Sequence, residues 1–305
     1  MADAARIAAK PKRGSRRRPE TRTAVIFVGI TFVPLMLFLF LPMIGAFGLS
    51  FTVFTAAVTG LKYVGLQNYQ QVLSDPQFRG ALLHTAQYVA ETVPLTIATA
   101  FGFALLVHRP IRGIGFFRTA YYLPTVTSFI AVGVIWTSLF DPYQGLFGKL
   151  LSVLGLGGTG NWLTNPHLAM QALVLVSVWK NFGLMMLIYL AGLQGLPREY
   201  FEAAELDGAG RVAMVRHITW PLLRPITFYL VIVGMISTFQ AFDLIVAMTQ
   251  GGPFGSTTTL VYEVYQNAFV FNRLGYASAL AIILFVIILI ISLVNMAFLR
   301  EREEA

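Results

Sequence analysis

Six long apolar runs, separated by segments rich in Gly, Pro, Asn and charge, organise this chain. The first, Ala24–Phe51, contains no charged residue. About 20 consecutive apolar residues cross a bilayer, so the run is long enough to span with tilt. The apolar core of a cleaved signal peptide is about 7–15 residues, which makes this run a retained first helix. Pro34 and Pro42 can kink it, as membrane helices tolerate when neighbours re-satisfy the backbone. Five more runs follow, at Ala81–Val107, Tyr121–Phe140, Leu168–Leu193, Leu222–Met248 and Tyr276–Leu299. The pattern predicts an all-α polytopic membrane protein with six transmembrane helices. Its expected layout is a basic arm (1–23), a first helix (24–51), a core carrying five helices (81–299) with a polar loop at 196–225 inside it, and a short tail (300–305).

Composition agrees with a lipid-solvated chain. Of 305 residues, 56% are hydrophobic and 12% charged, against about 25% charged in globular proteins. That supply cannot coat a water-facing surface of this size, which excludes a soluble enzyme, a disordered regulator and a fibrous protein. Cysteine is absent, so there is no disulfide, thiolate metal site or cysteine nucleophile.

The net charge of +8 is unevenly placed. Eight basic side chains fall in the first 22 residues: Arg6, Lys10, Lys12, Arg13, Arg16, Arg17, Arg18 and Arg22. Such an arm can bind nucleic acid or anionic lipid; beside an uncharged span it reads as a topology signal and not as a nucleic-acid site. Grouping the arm, the 108–119 loop, the 194–224 segment and the tail puts 17 Lys and Arg on one face, against 4 on the other (Lys62, Arg79, Lys149, Arg273). By the positive-inside rule the richer face, with both termini, is cytoplasmic.

No catalytic signature appears. There is no G-x-x-x-x-G-K-[ST], and the glycine clusters at Gly155–Gly160 and Gly251–Gly255 lack a lysine to reach phosphate. There is no H-E-x-x-H or G-x-S-x-G, and His84, His108, His167 and His217 lie in different segments without metal-ligand spacing. Three ionisable residues lie inside apolar runs: Glu91, Lys180 and Asp243. A charge at the bilayer centre costs about 2.5–3.5 kcal/mol, so such residues face a bundle interior or an aqueous path. They either line that path or pair structurally near a helix end.

The segment Leu196–Pro225 is polar but patterned. Pro197 can open a helix, and Glu199, Glu202 and Glu205 recur along one helical face. Ala203 and Ala204 keep the helix slim, and Gly208 permits a positive-φ turn. Val212, Val215 and Ile218 give a second apolar periodicity before Pro221 and Pro225 mark return to the bilayer. This predicts a short helix-turn-helix on the cytoplasmic surface, a shape that suits docking into a groove of another protein.

The spacing Glu202-Ala203-Ala204, three residues, Gly208, nine residues, Ile218, one residue, Trp220-Pro221 resembles the signature of permease subunits of binding-protein-dependent ABC importers, with Trp220 where the family usually has Leu. Val64-Gly65-Leu66-Gln67-Asn68-Tyr69, Tyr122-Leu123-Pro124 and Trp136 through Gly145 resemble other segments of that family. Thr249-Gln250-Gly251-Gly252-Pro253, Ser256-Thr257, Tyr262 and the Phe242-Asp243 pair resemble its carbohydrate-importing branch, of maltose or glycerol-3-phosphate type. The resemblance implies a type I ABC importer permease fold and a coupling helix in which Glu202, Ala203, Ala204, Asp207, Gly208, Ile218 and Pro221 meet an ATPase. It implies no catalysis and no cofactor in this chain, with ATP and Mg bound by partner subunits. The expected partners are a second permease, two copies of an ABC ATPase, an external solute-binding protein and membrane lipid. The expected site is the inner membrane of a prokaryote. Gly251, Gly252 and Pro253 are either a plain turn or a gate or binding-protein contact. The expected solute is a sugar, the alternative being glycerol-3-phosphate or a related phosphodiester. An ion-coupled secondary transporter is the rival from another class; it would show two internal repeats, and it leaves the 196–225 loop unexplained.

Overall fold

The computed structural model describes residues 17–53, 60–108, 113–153 and 161–303. Arg6, Lys10, Lys12, Arg13 and Arg16 of the basic arm, Arg109 and Arg112, and the glycines of 155–160 lie outside the described residues.

Four helices are long and apolar enough to cross a membrane: Ile26–Leu49, Pro76–Val107, Ala169–Gln194 and Leu274–Ala297. Two bent pairs bring the number to six, Ile114–Val126 with Phe129–Leu139 and Arg211–Leu222 with Arg224–Phe239. In chain order these are the first to sixth spans.

The second and fourth spans form the centre. Val89, Val93, Ile97, Ala100 and Ala104 are buried in one cluster with Met186, Tyr189, Leu190 and Leu193. Small residues let the backbones approach, the usual basis of helix packing in lipid. At Gly183 the fourth span also meets the third closely, since a Cβ there would lie 2.0 Å from the Tyr121 carbonyl oxygen. The second span starts where Asp75 accepts a hydrogen bond from the Gln77 amide (2.9 Å) with Pro76 in the first turn, a standard N-terminal cap. The first span leans on the sixth through Leu41–Leu49, with none of its apolar window buried.

Two runs read as continuous spans are interrupted. The run Tyr121–Phe140 bends by 100° at Thr127 and Ser128, both of extended backbone. The run Leu222–Met248 ends as a helix at Phe239; a separate short helix, Asp243–Met248, then packs on Phe129–Leu139. Asp243 therefore sits in the first turn of a new helix and not inside a span. A second bend, of 65°, separates Arg211–Leu222 from Arg224–Phe239.

Wide π-turns occupy Met36–Phe40 and Val215–Thr219. Each contains the residue four before a proline (Phe38 before Pro42, His217 before Pro221). A proline ring clashes with that carbonyl in a regular α-helix, and the widened turn moves it aside.

One end of the bundle carries the segments near 50–80, 140–168 and 249–273, here the loop end; the other carries the 196–225 hairpin. At the loop end a two-residue antiparallel ladder pairs Thr52 with Tyr63 and Val53 with Lys62. Asn68 donates to the carbonyls of Ser50 (2.8 Å) and Thr52 (2.9 Å), and the Tyr69 and Ser50 hydroxyls share a 2.7 Å bond. The Asn-Tyr pair thus ties the first span to the helix that follows it.

Candidate functional site

The hairpin consists of Arg198–Leu206 and Arg211–Leu222 around a tight turn. Gly208 adopts φ +77°. Its amide donates to the Glu205 carbonyl (3.0 Å) and the Ala209 amide to the Ala204 carbonyl (2.9 Å), the double bond of a Schellman cap. Glu202, Ala203, Glu205, Asp207 and Gly208 are all exposed, and Leu206 and Val212 expose 90% and 80% of their surface. The tip therefore exposes two apolar side chains along a stretch that carries Glu202, Glu205 and Asp207, with Arg211 beside Val212. Ile218 is half-buried in the π-turn, and Pro221 opens the turn Trp220–Leu222. The Trp220 ring meets Phe101 edge-on at 5.1 Å, and Phe101 meets Tyr189 at 5.4 Å. The bulky residue in the motif thus packs on the second span, through a ring that in turn meets the fourth.

Within the bundle a cavity of about 350 Å³ lies between the second, fourth and fifth spans, within the usual range for ligand pockets, about 300–1,000 Å³. Its wall carries Tyr88, Thr92 and Thr96 from one helix stripe, Ser177 and Asn181 from another, and Ser237, Thr238 and Gln240 from the end of the fifth span. The Tyr88 and Ser177 hydroxyls hydrogen-bond each other, and Asn181 donates to the Ser177 carbonyl at 2.9 Å. The Thr92 hydroxyl is buried and has no protein partner. Asp243, exposed to the cavity, is its only charged lining residue, and no lysine, arginine or histidine lines it among the described residues.

The three ionisable residues of the apolar runs, each expected either to line the path or to pair structurally, lie in three different settings. Only Asp243 lines this cavity. Glu91 accepts a hydrogen bond from Gln87 (2.9 Å) and borders a different groove of about 680 Å³ with Trp136, Trp179 and Gln171. Lys180 is buried at 2% exposure. Its ammonium donates to the carbonyls of Pro124 (3.1 Å), Thr125 (3.2 Å) and Thr127 (2.7 Å) and lies 4.2 Å from the centre of the Phe129 ring. Those carbonyls lie at the 100° bend. A cation at the C-terminal end of a helix is favoured, and this partnering answers the cost of a charge at membrane depth.

Sequence reasoning missed the neutral polar wall, because only charges were scanned within the apolar runs. The signal was present: Thr92 with Thr96, and Ser177 with Asn181, repeat at helical spacing.

At the loop end, Gly251-Gly252-Pro253 forms a closed turn. The Thr257 hydroxyl donates to the Gly252 carbonyl (2.7 Å) and lies within hydrogen-bond distance of the Thr249 hydroxyl (2.8 Å). Gly251 has φ +80°, and a Cβ there would lie 2.6 Å from the Tyr262 ring. Thr85 accepts the Leu260 amide proton at 2.9 Å, fixing the loop to the second span. Phe254 at the tip is 97% exposed. Below it Glu263 is buried, and its carboxylate accepts from Asn267 at 3.0 Å; burial raises its pKa above the ordinary carboxylate range. Among the described residues no group of three or more His, Asp or Glu is placed to hold a metal.

Comparison with known proteins follows this geometry. Residues 92–302 match the family described as binding-protein-dependent transport system inner membrane component. The trehalose/maltose transport system permease protein of Thermococcus litoralis is 32% identical over 269 residues, covering 88% of this chain and 90% of its own. The sn-glycerol-3-phosphate transport system permease protein of Brucella abortus is 36% identical over 252 residues, covering 80% and 83%. A chain of a bacterial ABC transporter involved in the import of the acidic polysaccharide alginate has the same fold, with a TM-score of 0.80 at 22% identity, covering 93% of this chain and 98% of that one.

Proposed function

The chain belongs to the family of binding-protein-dependent transport system inner membrane components, and on that premise we propose that it is the permease subunit of an ATP-driven importer for a neutral sugar. A second permease completes the membrane pathway, two ATPase subunits bind ATP and Mg on the hairpin side, and an external binding protein delivers the solute. Both termini and the hairpin face the cytoplasm, in keeping with the excess of Lys and Arg on that face. The chain hydrolyses nothing; it converts movement of the ATPases into a change of access to the cavity.

The hairpin is the mechanical input. Its exposed Leu206 and Val212 need a cover, and the carboxylates around them favour a basic cleft rim. The Gly251–Gly255 loop, with Phe254 projecting, meets the binding protein at the other end.

The wall of the membrane cavity carries the choice of solute. Hydroxyls and carboxamides without a lysine or arginine suit a polyhydroxylated neutral molecule. A phosphate or phosphodiester would enter without a cationic partner and beside Asp243, a costly arrangement in a low-dielectric site. That weighs against glycerol-3-phosphate, although one relative carries that name. The test is uptake into proteoliposomes holding the complete transporter. ATP-dependent uptake of a neutral oligosaccharide, unaffected by collapse of ion gradients, is expected. Uptake that needs an ion gradient and survives ATP depletion would overturn the reading; preferential uptake of a phosphorylated solute would overturn the choice of sugar.

A further inference from the structure

We propose that Lys180 is a positioning residue for transport: it holds the bend of the third span as a fixed corner and so sets Phe129 against the solute cavity. The proposal rests on the importer reading and adds to it a residue outside the solute path.

The geometry is specific. At Thr127 and Ser128 the backbone leaves the helix, and the carbonyls of Pro124, Thr125 and Thr127 at its end have acceptor capacity to spare, Pro124 keeping a 3.3 Å bond from the Thr127 amide. In lipid such groups must be satisfied within the protein. All three accept from the Lys180 ammonium, at 2.7–3.2 Å. The Thr125 hydroxyl returns a bond to the Lys180 carbonyl at 3.0 Å, so side chain and backbone of one residue both hold the chain where it breaks. Three residues along the same helix, Gly183 leaves room for the Tyr121 carbonyl, which brings the two helices close enough for that grip.

The first residue after the break is Phe129. Its ring lies over the same ammonium, with 4.2 Å from the nitrogen to its centre, and it lines the polar cavity beside Ser177 and Asn181. Lys180 itself does not line the cavity. One buried cation therefore fixes both the angle of the corner and the aromatic ring that the corner presents to solute. Alternating access then moves the third and fourth spans together, with the elbow held rigid between them.

The natural chain has no cysteine, so spin labels at Phe116→Cys and Ile135→Cys, both exposed sites, report the corner cleanly. A bent span places them about 19 Å apart and a straight helix about 28 Å, from the 1.5 Å rise per residue and the 100° bend. In the assembled transporter the short distance is expected with and without ATP. Lys180→Met is expected to lengthen it and to lower solute uptake per assembled complex about tenfold, a coupling of ordinary size, with basal ATPase activity unchanged. Lys180→Arg, which keeps cationic donors, is expected to restore the short distance and part of the uptake. Phe129→Ala is expected to keep the distance and lose uptake. If Lys180→Met does not assemble, the Arg and Phe129→Ala variants decide: normal uptake by both overturns the proposal. It is also overturned if Lys180→Met keeps the short distance, if it changes solute KM alone, or if its uptake per complex is normal. The distance does not depend on ATP-driven import, so its failure is separable from failure of uptake by the unmodified transporter.

Discussion

Tyr88 and Ser177, on neighbouring spans, join their hydroxyls at the wall of the membrane cavity. The bond fixes the second span to the fourth and also occupies two groups that could otherwise bind solute. Tyr88→Phe removes one hydroxyl and frees the other. The loss of one buried hydrogen bond costs about 1 kcal/mol, seen as a small fall in melting temperature of the purified complex. Solute KM should shift severalfold while basal ATPase activity stays unchanged.

Gly208 separates folding from docking. Its positive φ costs most L-residues about 1–2 kcal/mol, whereas Asn and Asp tolerate it, and no neighbour within the chain would meet a Cβ there. Gly208→Asp should therefore fold and assemble. It adds a carboxylate to a tip that already carries Glu202, Glu205 and Asp207, so transport and solute-stimulated ATPase activity should be lost. Gly208→Asn, without the charge, should retain more of both. Normal uptake by the Asp variant would remove the hairpin from the coupling role.

At Gly183 the constraint is steric. Alanine would push its methyl to 2.0 Å from the Tyr121 carbonyl oxygen, and overpacking of this kind costs about 1–3 kcal/mol. Gly183→Ala should lower the thermal stability of the complex by that amount, measured as loss of monodisperse protein in detergent on heating.

The raised pKa of Glu263 has a defined sign. Desolvation favours the protonated acid in the folded state, with the Asn267 bond opposing it in part. The group therefore contributes its stability below the ordinary carboxylate value of 4.5 and loses it as pH rises through the higher folded value. Glu263→Gln, uncharged at every pH, should flatten that decline. A melting temperature measured from pH 4 upward should fall less steeply in the variant than in the parent.

For the loop end, a photoreactive crosslinker placed at Phe254, the exposed tip beyond Gly251-Gly252-Pro253, should capture the external binding protein when solute is present. A label at Tyr63, also exposed at 75%, serves as the comparison. Equal capture from both would leave the loop a plain turn.

Long stretches of apolar residue placed the spans, because lipid imposes one rule along the whole length of a helix. The interruptions were hidden by the same averaging. Thr127 and Ser128 are small, uncharged and flanked by apolar residues, so the run Tyr121–Phe140 reads through a 100° bend. Gln240 and Ala241 similarly conceal the end of the fifth span before Asp243. The hairpin was legible because glycine and proline act locally: Gly208 sets a cap and Pro221 follows a widened turn. Lys180 was visible as an anomaly, but its partners lie 53–56 residues away. Only the packing of the fourth span on the third turns a misplaced charge into a clamp.

That clamp bears on how the molecule meets its surroundings. Dissolved ions weaken attractions between groups at a water-facing surface, but the Lys180 ammonium is 2% exposed and its counter-dipoles are peptide carbonyls. A change from dilute to concentrated salt alters the medium at both membrane faces and leaves this elbow untouched. The route through the bilayer thus keeps its outline where osmotic conditions do not.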